Sequence, residues 1–499
     1  MHANCVEAQH TSSNSITPNP VTAPVLDSMD DFPTISEAAK RIRTGEISPV
    51  ELTRTCLDRI AALNDELHAF ITVTGEQALE QARLAEREIS AGAWRGPLHG
   101  IPIAHKDMVC TRGVRTTAHS NLLRDWIPQS DATVHTRLTA AGAVSLGKLA
   151  LWEFASGLPG PNVAFPPARN PWNTQYSPAG SSSGSGTAVS AGLCLGATGT
   201  DTGGSIRFPA AACGIVGMKP TYGRVSVHGV LPLAPSLDHV GPMTRTVRDN
   251  ALMLQAMAGH DPADPTSADE PVGNFQRLID QDLRGLKIAI PRTFIDTTPH
   301  DGDCVEAFDR AIDVLVRLGV ELVEFDFAPL YRAGDVATRI LLAEAHGHHL
   351  PNLLGNPEAY DKPFRERLMQ VKAPTPEEWD ALRAEQRELK REYARLFASG
   401  VDLIASPGRQ GAAETMSSML APAPARRNNC TRMYSLSGMP ALVMPMGFSI
   451  SGLPFGIQFA ASWFAEDRIY QVAAAYEAAT GWTSCHPLFH ITCSPKHHQ

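Results

Sequence analysis

No run in this 499-residue sequence approaches the roughly 18 uninterrupted apolar residues that a membrane-spanning helix needs. The nine cysteines include no C-x-x-C pair, which argues against a zinc ribbon and against a disulfide framework. Reduced thiols in a cytoplasm fit such scattered cysteines best. A basic stripe is also missing. The net charge of −9 is spread along the chain, so nucleic acid is not expected as a direct partner. The first thirty residues lack an apolar h-region and are rich in Asn, Ser, Thr and Pro, so residues 1–30 read as a disordered tail rather than a signal peptide. There is no internal repeat, no H-E-x-x-H and no G-K-[ST], which removes zincin and phosphate-loop chemistry from consideration. What remains is a soluble globular chain with enough apolar residues to bury a large core.

The patterning alternates between helix and strand. From Ile35 to Glu88 it is helical, with Leu52, Cys56, Ile60 and Leu63 on one face. Leu98 to Val109 is a short apolar strand region, and Gly142 to Gly147 reads as another strand, followed by a helix from Lys148 to Phe154. Gly184 to Ala191 is a small-residue helix. A β-α-β unit follows, with strand Leu286 to Ile290, helix Cys304 to Leu318 and strand Val320 to Phe327. Thr375-Pro376-Glu377-Glu378 is a capping box with proline at the first helical position, and the helix that it opens stops before Gly400. Asp402 to Ala405 is strand, and Ala441 to Met446 with Phe455 to Phe459 form a hairpin across Gly452. Such alternation implies an α/β fold, a sheet covered by helices.

Three short segments carry the chemistry. Gly199-Thr200-Asp201-Thr202-Gly203-Gly204-Ser205-Ile206-Arg207 presents a serine directly after two glycines, whose bare backbone lets N–H groups approach a ligand. A nest of amides suits an oxyanion, so a nucleophile and its oxyanion hole can come from one loop. A second serine loop, Ala179-Gly180-Ser181-Ser182-Ser183-Gly184, lies upstream, and Gly100-Ile101-Pro102-Ile103-Ala104-His105-Lys106-Asp107 sets a lysine after an apolar run. A buried lysine loses its charge readily and becomes a base that can activate a serine hydroxyl. Several other patterns carry less. Gly180 to Gly184 satisfies G-x-S-x-G with Ser182 central, but the polar, proline-broken Asn173 to Pro178 precedes it where an elbow needs a strand. Ser145-Leu146-Gly147-Lys148 satisfies S-x-x-K without S-D-N or K-T-G and reads as a strand-to-helix turn. Glu344, His346, His348 and His349 look metal-like, yet residues two apart do not share a helix face, so a polar cluster at a cavity or in solvent is the better reading. Cys194 and Cys213 sit among small and apolar residues, where cysteine packs inertly.

Taken together, the lysine and the two serine loops resemble the amidase-signature family of Ser–Ser–Lys serine hydrolases. The separations of 75 and then 24 positions are those of that family. The resemblance continues through Cys213 to Thr221 and Asp238 to Met243, is strongest from Gly96 to Asp249, and is weakest between Asp261 and Ala425. It implies a mixed β-sheet core covered by helices on both sides, as one domain over residues 31–490, with the motif-bearing core at about 96–250 and a substrate-shaping region at about 261–425. It implies Lys106 as base, Ser181 as bridging serine held by a cis peptide, and Ser205 as nucleophile. It implies the backbone N–H groups of Thr202, Gly203, Gly204 and Ser205 as oxyanion hole, and Asp201 and Arg207 as structural support. It implies no cofactor and no metal, a small-molecule amide, carbamate or urea as substrate, and a chain that can self-associate. Ala179 and Ser183 stand where the family usually has glycine. Within the family, Met218 to Ser226 and Ser236 to Met243 also look like the A subunit of the tRNA-dependent amidotransferase, which takes ammonia from glutamine and works with partner subunits. Asn428, however, stands where that protein carries an acidic residue for the α-amino group of glutamine. With Met419, Met433, Tyr434 and Met439 nearby as adaptable apolar surface, aryl or alkyl amides are expected in preference to glutamine. An inactive member acting as a scaffold is the non-enzyme alternative, disfavoured by the intact Lys106, Ser181 and Ser205.

Overall fold

The computed structural model describes residues 32–160, 163–420 and 429–487. The expected tail and Asn428 lie outside the described residues. Within them, eleven strands form one sheet. In chain order these are β1 (Phe70–Val73), β2 (Pro102–Lys106), β3 (Val144–Leu149), β4 (Gly196–Asp201), β5 (Val216–Lys219), β6 (His239–Thr244), β7 (Lys287–Ile290), β8 (Glu321–Glu324), β9 (Leu403–Pro407), β10 (Ala441–Phe448) and β11 (Pro454–Ala461). Their order across the sheet is β1-β3-β2-β4-β6-β5-β10-β11-β9-β7-β8. The sheet is mixed. Strand β4 runs parallel to β2 on one side and antiparallel to β6 on the other.

Helices cover both faces, and alternation along single strands shows it. Ile288 and Ile290 of β7 belong to one buried cluster, whereas Ala289 between them belongs to a second. In β9, Leu403 and Ala405 face the first cluster and Ile404 the second. Successive strand side chains point to opposite faces, so two separate cores flank one sheet.

Local signals account for several elements. Thr375 accepts from the Glu378 N–H while Glu378 bonds back, and the helix Pro376–Ala398 follows this capping box. The hairpin of β10 and β11 pairs over its length, with one irregularity between Pro445 and Gly447. Two expectations are corrected. The stretch before Glu88 is not wholly helical, because β1 interrupts it and pairs antiparallel with β3. No helix runs from Lys148 to Phe154, so Ser145 to Lys148 is not a strand-to-helix turn. The chain stays extended through Leu149, and Lys148 turns inward to donate to Val109 O at 2.5 Å and Thr116 Oγ1 at 2.6 Å. Its ammonium also lies 3.4 Å from Asp107, and a buried charge of this kind demands such partners. Among the described residues no helix is long and apolar enough to cross a membrane.

Candidate active site

The register of the central strands assembles the site. β2 and β4 are neighbours, with His105 opposite Thr198, so Lys106 at the end of β2 emerges beside the end of β4. Its Nζ lies 2.8 Å from Ser181 Oγ and 2.6 Å from Thr200 Oγ1. Lys106 and Ser181 have no solvent exposure. Burial lowers the Lys106 amine to about 7, against the upward pull of Asp201 and Asp238. Near neutral pH a substantial fraction of the amine is therefore uncharged and able to take a proton.

Ser181 follows a cis peptide bond from Gly180. Ala179 just before it has φ of +57°, the left-handed region that glycine occupies most readily. Ser183 is accommodated as the first residue of the helix Ser183–Ser190. Ser182 does not act as an elbow nucleophile. It is fully buried, and its Oγ bridges the carbonyl and the N–H of Thr200, both at 3.2 Å.

Ser205 is partly exposed and lines a cavity of about 410 Å³, while Ser181 and Lys106 lie behind it. A main-chain bond from Ser182 N–H to Ser205 O, at 3.1 Å, joins the two serine loops. Asp201 braces the second loop. It accepts from Gly204 N–H at 2.7 Å, Ile206 N–H at 3.2 Å and the Arg207 guanidinium. Burial raises the Asp201 carboxyl, but Arg207 outweighs it and holds the group below the usual carboxylate range. Arg207 reaches on to Thr431 O, Gln458 Oε1 and Ser435 Oγ, each at 2.8 Å, and so fastens the loop to the helix Asn429–Ser437.

The Gly204 N–H is thus committed to Asp201. That departs from the expectation that all four amides from Thr202 to Ser205 point at an oxyanion, because the Asp201 carboxylate competes for one of them. Among the described residues, the N–H groups of Thr202, Gly203 and Ser205 have no protein acceptor. Gly204 has φ of +133°, and a Cβ there would come within 2.3 Å of the Phe208 ring.

Thr200 and Asp238 were not among the residues singled out from the sequence. Asp238 accepts from Thr202 Oγ1 at 2.6 Å and from the N–H groups of Leu233 and Ala234. The available signal was that Asp238 opens the Asp238 to Met243 segment, which carries part of the family resemblance.

The expected apolar lining is corrected. Met433, Tyr434 and Met439 are fully buried in the second core, and only Met419 reaches the cavity. The helix Asn429–Ser437 turns Met433 and Tyr434 inward and presents Arg432 to the cavity instead, and Met439 is buried just beyond its end. Arg367 and Arg409 line it as well, with Asp301 and Glu414. Glu344 has a structural partner, accepting from Ser236 N–H at 3.0 Å and Ser236 Oγ at 2.6 Å. His349 packs edge-on against Phe154 and Phe364, whereas His348 is exposed. Among the described residues no group of three or more His, Cys, Asp or Glu is placed to hold a metal ion. Cys194 and Cys213 are fully buried, and burial raises both thiols.

The family model described as Amidase matches residues 51–470. The chain belongs to the amidase family, and with its fold it is an enzyme of the amidase-signature group. It is 39% identical over 489 aligned residues to the A subunit of the glutamyl-tRNA(Gln) amidotransferase of Geobacter metallireducens, covering 90% of this chain and 97% of that one. Among solved structures it is similar to the native peptide amidase of Stenotrophomonas maltophilia, at 30% identity and a TM-score of 0.78 over 94% of this chain and all of that one. It is also similar, at 28% identity and a TM-score of 0.84, to a chain of a vestigial protein complex described as revealing the evolutionary origins of an s-triazine catabolic enzyme. That match covers 92% of this chain and all of the other.

Proposed function

We propose that the chain cleaves a carboxamide bond through an acyl-enzyme on Ser205. The observation that carries this reading is the contact of Lys106 Nζ with Ser181 Oγ at 2.8 Å, in a place where both are without solvent exposure. Neutral Lys106 takes the hydroxyl proton of Ser181 as Ser181 takes that of Ser205. Ser205 Oγ attacks the carbonyl carbon, and the N–H groups of Thr202, Gly203 and Ser205 hold the resulting oxyanion. In comparable sites one such donor contributes about 3 kcal/mol. The proton returns through Ser181 to the departing nitrogen, the C–N bond breaks, and water then hydrolyses the ester on Ser205. The test is a fluorophosphonate label combined with a panel of amides, anilides, carbamates and glutamine. Labelling at Ser205 with amide turnover supports the reading, and label at another residue overturns it.

The relatives favour a particular setting for this chemistry. The chain spans nearly the full length of proteins named as A subunits of the glutamyl-tRNA(Gln) amidotransferase. In that setting the ammonia released at Ser205 passes to an acceptor held by partner subunits. Glutamine turnover that appears only with such partners present identifies it, and turnover by the single chain identifies a free-standing amidase.

A further inference from the structure

The stretch that leads out of β3 runs beside the first serine loop and is tied to it by two main-chain bonds. Gly184 N–H donates to Ala150 O at 2.8 Å, and Trp152 N–H donates to Ser181 O at 3.1 Å. A ring makes a third tie. A Cβ built on Gly180 would overlap Cε2, Cδ2 and Nε1 of Trp152, all within 2.6 Å. Cε2 and Cδ2 are the ring-fusion carbons and are hemmed in by their own neighbours within the plane. So close an approach therefore comes over the ring, and the indole face lies against Gly180. The φ of Gly180 is not positive, so its backbone does not call for glycine. The ring does.

The turn that carries this ring is held from several sides. Phe154 and Ala155 have φ of +44° and +61°, which side chains disfavour. Such strain persists only where the surroundings over-determine it. Ala155 N–H donates to Trp152 O at 2.8 Å and Phe154 N–H to Ala118 O at 3.0 Å. The buried Glu153 carboxylate accepts from Ser120 Oγ at 2.6 Å and from Asp361 N–H at 2.9 Å. Trp152 itself is partly exposed and lines the cavity in front of Ser205.

Ser181 has to keep its Oγ on Lys106 Nζ, 2.8 Å away, while serving Ser205. A displacement of about 1 Å in such a relay can cost on the order of a hundredfold in rate. The residue just before it is a glycine, which has no side chain of its own to pack. We infer that Trp152 is a positioning residue, whose indole seated on Gly180 supplies that packing and keeps Ser181 Oγ within reach of Lys106. The inference rests on the proposed relay through Ser181 to Ser205.

The test is the rate at which a short-chain alkyl fluorophosphonate labels Ser205 in the full chain. Labelling forms a bond from Ser205 Oγ to phosphorus as fluoride leaves, and the hydroxyl proton passes through Ser181 to Lys106. The rate thus reads the relay without an amide substrate. Trp152→Leu is expected to label roughly tenfold to a hundredfold more slowly. Trp152→Phe keeps a ring face and is expected to retain most of the rate. Gly180→Ala is expected to be slow as well, because its Cβ meets the indole. Combining Trp152→Leu with Gly180→Ala makes room for that Cβ, so the double variant is expected to label faster than Gly180→Ala alone. Two merely structural losses would add instead.

Trp152→Leu labelled at the wild-type rate overturns the inference. So does Trp152→Phe as slow as Trp152→Leu, or a double variant no faster than Gly180→Ala. Should Trp152→Leu fail to fold, Gly180→Ala decides, and labelling of it at the wild-type rate overturns the inference. Label at Ser205 that is indifferent to both positions leaves the amide-cleaving reading standing, whereas no label at Ser205 in the wild type overturns both.

Discussion

Asp201 and Arg207 meet side-on, with Nε and Nη2 of the arginine each 2.9 Å from a different oxygen of the carboxylate, and neither side chain touches solvent. The two flank Ser205 in sequence, so this pair sets the shape of the loop between them. Arg207→Met leaves Asp201 buried without its cation, a loss of about 3–5 kcal/mol. Denaturant unfolding is expected to show that loss, together with a fall in activity. Arg207→Lys does not restore the side-on fork and is expected to recover only part of either.

Removing the Ser205 hydroxyl tests the nucleophile directly. Ser205→Ala is expected to lose covalent labelling and turnover with the thermal midpoint little changed, because Ser205 is partly exposed at the cavity. Intact mass after incubation with a fluorophosphonate reads the result, and a labelled Ala variant assigns the nucleophile to another residue.

The lowered Lys106 amine, at about 7, has two consequences. Activity is expected to fall as pH drops through that value, since the protonated amine is no base. Asp238 raises the Lys106 pKa, so Asp238→Asn is expected to move this acidic limb to lower pH. For stability the sign is that of any group whose pKa is lowered on folding, so stability rises with pH. Below about pH 7 the amine is charged in both states and the fold bears the full cost of burying it. That cost fades as pH rises toward the unfolded value of about 10.4. The thermal midpoint of Lys106→Met relative to the wild type is therefore expected to be higher at pH 6 than at pH 10, and the reverse order contradicts burial as the cause.

Gly204 has no room for a side chain. With φ of +133° and a Cβ position 2.3 Å from the Phe208 ring, Gly204→Ala is expected to cost about 1–3 kcal/mol and most of the activity. Gly452→Ala is the control. It shares a positive φ of +76°, yet its Cβ meets nothing within 4 Å, so calorimetry on the two separates crowding from backbone strain.

The features legible in the sequence were local ones. The box at Thr375 and Glu378 is written within four residues, and the helix starts where it says. The serine loops and Lys106 each lie in a short stretch of distinctive composition, so they were visible before any contact was known. The four residues of β1 were hidden inside a helical-looking region, because their hydrogen bonds go to β3 far along the chain. The extended course past Lys148 was hidden for the same reason, since Asp107, Val109 and Thr116 decide it. The charged cavity was the least legible part. Arg367, Arg409 and Arg432 come from three separated segments, and only the folded chain brings them to one wall.

The bond from Ser182 N–H to Ser205 O is made of atoms that every residue but proline possesses. No ordinary side-chain replacement at Ser205 deletes its carbonyl, and only proline at position 182 deletes the amide. The tie between the loops is therefore largely invisible to mutation, whereas the arginines of the cavity wall are fully exposed to it. A lineage of such chains can exchange one substrate for another while the coupling between its two serine loops is handed down intact.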